Sequence, residues 1–375
     1  MNTKTSLSRM ALVLFSALYA TSFPSQAADY TWGGGDLPYT DTSTSGWNGG
    51  PPDLYTAGDN AIINSGTVTY TPGGDFEIAG GNTMTMNGGL FTQTGGGAYI
   101  KIGEQSGAGT LIINSGAEFN MGSSSRLVLG DWNKNSLIHV NGGTFDSDGA
   151  LIEVGKGSTT TESTLRLTGN ANVILSNITL TNKIEANGGN LSYNSLNFNT
   201  SNASFSINGS TVTQSAANLT VGTGATFSLA SGSLSLTGQY QATGGSSSIS
   251  GGTLNATQLS LTGDVVDFSG GIINLDGTSS EGISAGAGDY LNFTSGSLGS
   301  LFIDNLDVTG LNTLLGDGRV RLNGVTNASQ FSSSVQGDGY TISVIPEPST
   351  LMLLGLGLIP AISFCRRRTS LRHKA

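Results

Sequence analysis

Residues 203–214 read ASFSINGSTVTQ and residues 225–238 read ATFSLASGSLSLTG. Each is a short alternating run, a polar turn containing glycine, and a second alternating run. Phe205-Ser206-Ile207, Phe227-Ser228-Leu229 and Leu234-Ser235-Leu236 are apolar, polar, apolar, which is the period of a strand with one buried face. Other examples lie on both sides: TMTMNGGLFTQTGG, LIINSGAEFNMG, LIHVNGGTFDSDG, IEANGGNLSYNS, SSISGGTLNATQ and VDFSGGIINLDG. Turn glycines recur at 66, 88, 116, 142, 169, 188, 209, 232, 251, 270 and 296, about every 23 residues. A beat in the twenties is the mark of a solenoid, whose repeats bury their apolar faces only against one another.

Composition agrees. Glycine contributes 57 of 375 residues and charged residues 11%, about twice and less than half the usual shares. That excludes coiled coils and charged-surface helical bundles. No proline occurs between Gly73 and Ile345, as continuous ladders require, since proline removes a donor. The expected fold is all-β: a right-handed parallel β-helix of roughly 11 coils, with a β-sandwich as the runner-up. No helical stripe is expected before Pro346. The expected organisation is a signal peptide over 1–27, an N-terminal cap over 28–58 with Trp32 and Trp47, β-helix repeats over 59–343, and a sorting signal over 344–375.

The ends read as addresses. Lys4 and Arg9 precede an apolar run, Met10–Ala20, and then Ser25-Gln26-Ala27. This is the pattern of a secretory signal peptide cut between Ala27 and Ala28, which implies the export machinery and signal peptidase as partners. At the other end, Pro346-Glu347-Pro348 precedes an apolar stretch, Leu351–Cys365, and then Arg366, Arg367 and Arg368. Fifteen residues are about 22 Å of helix, short for a permanent span but consistent with transient inner-membrane association, the basic cluster staying inside. This three-part ending resembles the PEP-CTERM sorting domain. The resemblance implies recognition by an exosortase, cleavage near Pro346-Glu347-Pro348, and delivery to the cell surface or extracellular matrix of a Gram-negative-type bacterium that makes exopolysaccharide. The chain departs from the usual pattern in running on from Thr369 to Ala375 and in holding Pro360 within the apolar stretch. A retained single-span anchor is the alternative. The opening and the repeats also resemble autotransporter β-helix passengers, without the outer-membrane barrel.

Chemistry on the repeats reads as sparse. Between Asp29 and Ile345 there are eight basic residues against 24 acidic ones, a net of −16, so nucleic acid is excluded as a partner. The lone cysteine, Cys365, excludes a disulfide framework. No charged residue occurs from Ala186 to Gly263. The densest polar cluster is Asp131, Asp146, Asp148 and Glu153, with Lys134, Lys156 and His139. Asp146-Ser147-Asp148-Gly149 reads as turn chemistry, with weak calcium binding as the alternative. No catalytic, cofactor-binding or metal residue is assigned and no cofactor is expected. Tyr193, Tyr240 and Tyr290 are candidate stacking residues for sugars. The expected function is a non-catalytic surface or matrix protein, possible exopolysaccharide contact included. The alternatives are a carbohydrate-binding adhesin and a β-helix polysaccharide lyase or hydrolase.

Overall fold

A computed structural model describes residues 28–346, apart from loop positions 41–42, 44, 48–49, 56–57, 72, 96, 123–125, 157–161, 199, 217, 279 and 295. The alternating runs form strands that stack in parallel as a three-faced β-solenoid. Each complete coil contributes to all three faces, and Ser204–Gln214 and Thr226–Leu236 each run on from face 1 into face 2 as one strand. Face 1 runs from Asp29–Trp32 through Asn60–Ile63, Thr83–Met86 and Thr110–Asn114 to Val320–Leu322. Face 2 runs from Asp36–Pro38 through Thr67–Tyr70 and Gly89–Gln93 to Ser300–Asp304. Face 3 runs from Phe76–Ile78 to Ile283–Ala285 and holds ten strands among the described residues. There are thus about ten complete turns, close to the expected eleven, and a rod of about 50 Å.

Register explains the core. Strand residues of one parity stack directly above each other, so Phe91, Phe119 and Phe145 form a column on face 2. Phe91 and Phe119 stack at 4.7 Å with planes 7° apart. Ile138, Leu165 and Ile184 form another column on face 1. These residues are fully buried, and each contributes roughly 1.5–3 kcal/mol through burial. Coil length varies without breaking the columns. Thr168 bonds back to Asn141 across 27 residues, while Arg166 bonds forward to Glu185 across 19. The added residues sit in corners, where no ladder bond is lost.

The first rung lies earlier than the expected boundary at residue 59. Ala28 accepts from Asn60 N at 2.8 Å, and Asp29–Trp32 and Asp36–Pro38 already pair in the ladders. Trp47 folds over this rung, fully buried, with its ring 5.1 Å from Trp32 and 5.6 Å from Tyr39. The edge is blunted by Asp29, Asp36 and Pro38, whose charge and missing donor discourage further pairing.

The far end corrects the expectation that no helix lies before Pro346. Helix α1 (Val308–Gly316) is capped by Asp307, which accepts from Gly310 N at 2.7 Å, and it buries Leu311, Leu314 and Leu315. It packs on Val320–Leu322 and on the turn Ser280–Gly282. A hairpin, Phe331–Gln336 and Gly339–Val344, then closes face 2 by pairing antiparallel to Ser300–Asp304. Phe331 lies edge-on to Phe293 at 5.4 Å and Ile342 is fully buried. The reversal ends parallel stacking on that face.

Candidate functional site

The sorting end is built from this hairpin. Gly339–Val344 is held on both sides, and Ile345 N donates to Gln330 O at 2.9 Å. Exposed Pro346 follows immediately. Glu347, Pro348, the apolar stretch 351–365, Arg366, Arg367, Arg368 and Cys365 lie outside the described residues, as do Ala27 and the rest of the signal peptide. Among the described residues, no helix is long and apolar enough to cross a membrane. The family model for the PEP-CTERM protein-sorting motif matches residues 344–368. The chain carries a PEP-CTERM sorting motif. Its first residue, Val344, is also the last residue of the closing strand, so the rod and the sorting signal meet without a linker. The motif makes this an exosortase-sorted, exported protein. No curated protein and no solved structure matches the chain; the expected β-helix repeats are those of the β-solenoid.

The polar residues singled out from sequence do not converge. Asp131 is in a 3-10 turn after face 3, with Lys156 at 3.6 Å. Glu153 points outward on face 3 and pairs with Arg126. Asp146 accepts from Asp148 N at 2.8 Å, and Asp148 has φ 44°. That geometry is an Asx turn, the role the dipeptide spacing suggested. Among the described residues no three His, Cys, Asp or Glu side chains are grouped to hold a metal. His139 is outward on face 1, with Nε2 2.8 Å from Thr168 Oγ1. Thr168 gives its proton to Asn141 Oδ1 at 3.0 Å, so the imidazole is the donor. Burial, helped by Arg166, holds His139 below its ordinary pKa.

Two of the three tyrosines are not on the surface. Tyr193 and Tyr240 are buried inside the rod, which corrects their reading as sugar platforms. Tyr240 Oη donates to Ser247 at 2.8 Å, satisfying a serine where the core column expects an apolar residue. Burial pushes both phenols up. Tyr290 is half-buried, with Arg321 4.1 Å over its ring.

Two surface constructions had no clear sequence signal. On face 3, Lys101 gathers Asp75, Glu77 and Glu104 at 2.9, 3.0 and 2.7 Å. Desolvation opposes its charge, but hydrogen bonds to Glu104, Asp75 and Glu77 outweigh it and raise its pKa. At the corner between faces 1 and 2, Asn87 Nδ2 donates to Asn64, Asn114 to Asn87 and Asn141 to Asn114, at 2.9, 2.9 and 3.0 Å. Asn114→Ala removes two of these exposed bonds. It should cost about 1 kcal/mol, read as a small drop in urea midpoint with unchanged slope; no change would show the ladder to be energetically silent.

Proposed function

We propose that this chain is a non-catalytic rod of the cell surface or extracellular matrix, delivered by exosortase in a biofilm- or exopolysaccharide-forming bacterium. The observation that carries the reading is the sorting motif at 344–368 joined directly to the closing strand of the solenoid. Such a tail serves delivery, and a rod whose outer positions from Ala186 to Gly263 are uncharged suits crowded association with hydroxyl-rich polymers. The non-catalytic part is supported by the pairing of Glu153 with Arg126 and Asp131 with Lys156, and by the turn role of Asp146. Groups so engaged are poorly placed as a general acid and base.

The test is intact-mass spectrometry of the protein recovered from the surface of bacteria with and without exosortase. The expected mass begins at Ala28 and ends close to Pro346-Glu347-Pro348, and this form disappears without the exosortase. Recovery of residues 351–375 in the surface form would refute processing. The same preparation should release no unsaturated or reducing ends from polysaccharides; release abolished by Asp146→Asn would instead establish the lyase reading. A second reading, carbohydrate binding, is favoured by a polar cleft at the last strand of face 3.

A further inference from the structure

The last strand of face 3, Ile283–Ala285, the turn 286–289 and the segment 317–321 enclose a polar cleft of about 460 Å3. That volume suits one or two pyranose rings. Its ionic groups are unequally used. Arg319 donates to Asp317, Glu281 and the Ile283 carbonyl at 2.8, 2.8 and 2.6 Å. Asp289 accepts from the backbone N–H groups of Gly263 and Asp264 at 2.8 and 3.0 Å. Arg321 differs. Its Nε donates to Gly318 O at 2.9 Å and its Cζ lies 4.1 Å over the Tyr290 ring, but among the described residues it has no ion-pair partner.

We propose that this cleft is a subsite for an uncharged pyranose unit of an extracellular polysaccharide. The guanidinium of Arg321 is braced by the Tyr290 ring, which fixes its donor fork for a pair of neighbouring hydroxyl oxygens. Carboxylates of Asp289 and Asp317 and the hydroxyl of Ser284 line the same space and accept the hydroxyl protons. A sugar hydroxyl both donates and accepts, so it matches walls of both kinds. Charge decides the class of sugar. Three carboxylates against two guanidiniums leave the cleft negative, on a body of net −16, which disfavours uronates. The source of the sugar rests on the surface or matrix reading above; the cleft geometry does not.

The test is calorimetric titration of the full-length chain in detergent micelles with cellotetraose, laminaritetraose, mannotetraose and tetragalacturonate. At least one neutral tetrasaccharide should bind with Kd of about 0.1–1 mM. Arg321→Gln should weaken it at least tenfold. Ser284→Tyr, outward on the last face 3 strand, should fill the cleft and abolish binding with an unchanged circular dichroism spectrum. Absence of neutral binding, preference for tetragalacturonate, or binding that survives Ser284→Tyr would each overturn the proposal. Mislocalisation in the exosortase experiment would overturn only the matrix reading and leave these titrations standing.

Discussion

Gly189→Val should be among the most damaging single changes in the rod, lowering stability by about 4–5 kcal/mol. Gly189 turns the corner between Lys183–Asn187 and Asn190–Tyr193 with φ +72°, and a Cβ there would run into the Ala171 backbone. A β-branched residue is strained in that left-handed conformation before any contact is counted. Ala171 cannot retreat, because its carbonyl accepts Asn190 N at 2.7 Å while Gly189 O accepts Thr211 N at 2.9 Å. The corner is therefore tied to the coils on both sides. Gly116→Ala is the informative comparison. Gly116 has φ +84° but open space around the added Cβ, so only backbone strain of about 1 kcal/mol is expected. Urea denaturation should show a large loss of midpoint for Gly189→Val and a small one for Gly116→Ala. Equal losses would mean that the left-handed backbone, not the tight stacking of coils, limits the corners.

Trp47→Ala should cost about 3–5 kcal/mol, but locally. Trp47 is packed against Trp32 and Tyr39, and Tyr39 in turn lies 5.5 Å from Phe76. Removing the indole opens the end of the core under Phe76 and Phe91. In a nearest-neighbour array such damage does not travel far. Hydrogen exchange should accelerate over residues 29–70, with coils beyond residue 110 protected as before. Light scattering should rise as Asn60–Ile63 and Thr67–Tyr70 become edges able to pair with other chains. Uniform acceleration along the whole chain would show one cooperative unit and defeat the nearest-neighbour account.

The repeats were legible because parity and beat are local. Phe205-Ser206-Ile207 predicts which residues face inward, and the stack confirms it. The same parity rule would have sent Tyr193 inward: it shares a face with Leu191 in Leu191-Ser192-Tyr193. Its hydroxyl drew attention to the surface instead. Helix α1 did leave a trace, Leu311 with Leu314 and Leu315, but nine residues with two glycines are below what periodicity resolves. The antiparallel closure at Gly339–Val344 was not readable, since alternation is the same for either strand direction. The cleft assembles side chains from Glu281 to Arg321 around a corner, and no spacing in the chain announces that. The asparagine corner was present as NSG and NGG turns, but its continuity depends on register between coils.

The corners tolerate coils of 18 to 31 residues while the columns stay aligned. Axial advance is consequently independent of coil length: each turn adds one strand spacing, about 4.8 Å, whatever its corners contain. The distance from the tryptophan-covered tip to the sorting end can then change only in whole steps of that size. Gain or loss of one coil resets reach like a notch on a ratchet, while loop insertions alter girth and leave reach untouched.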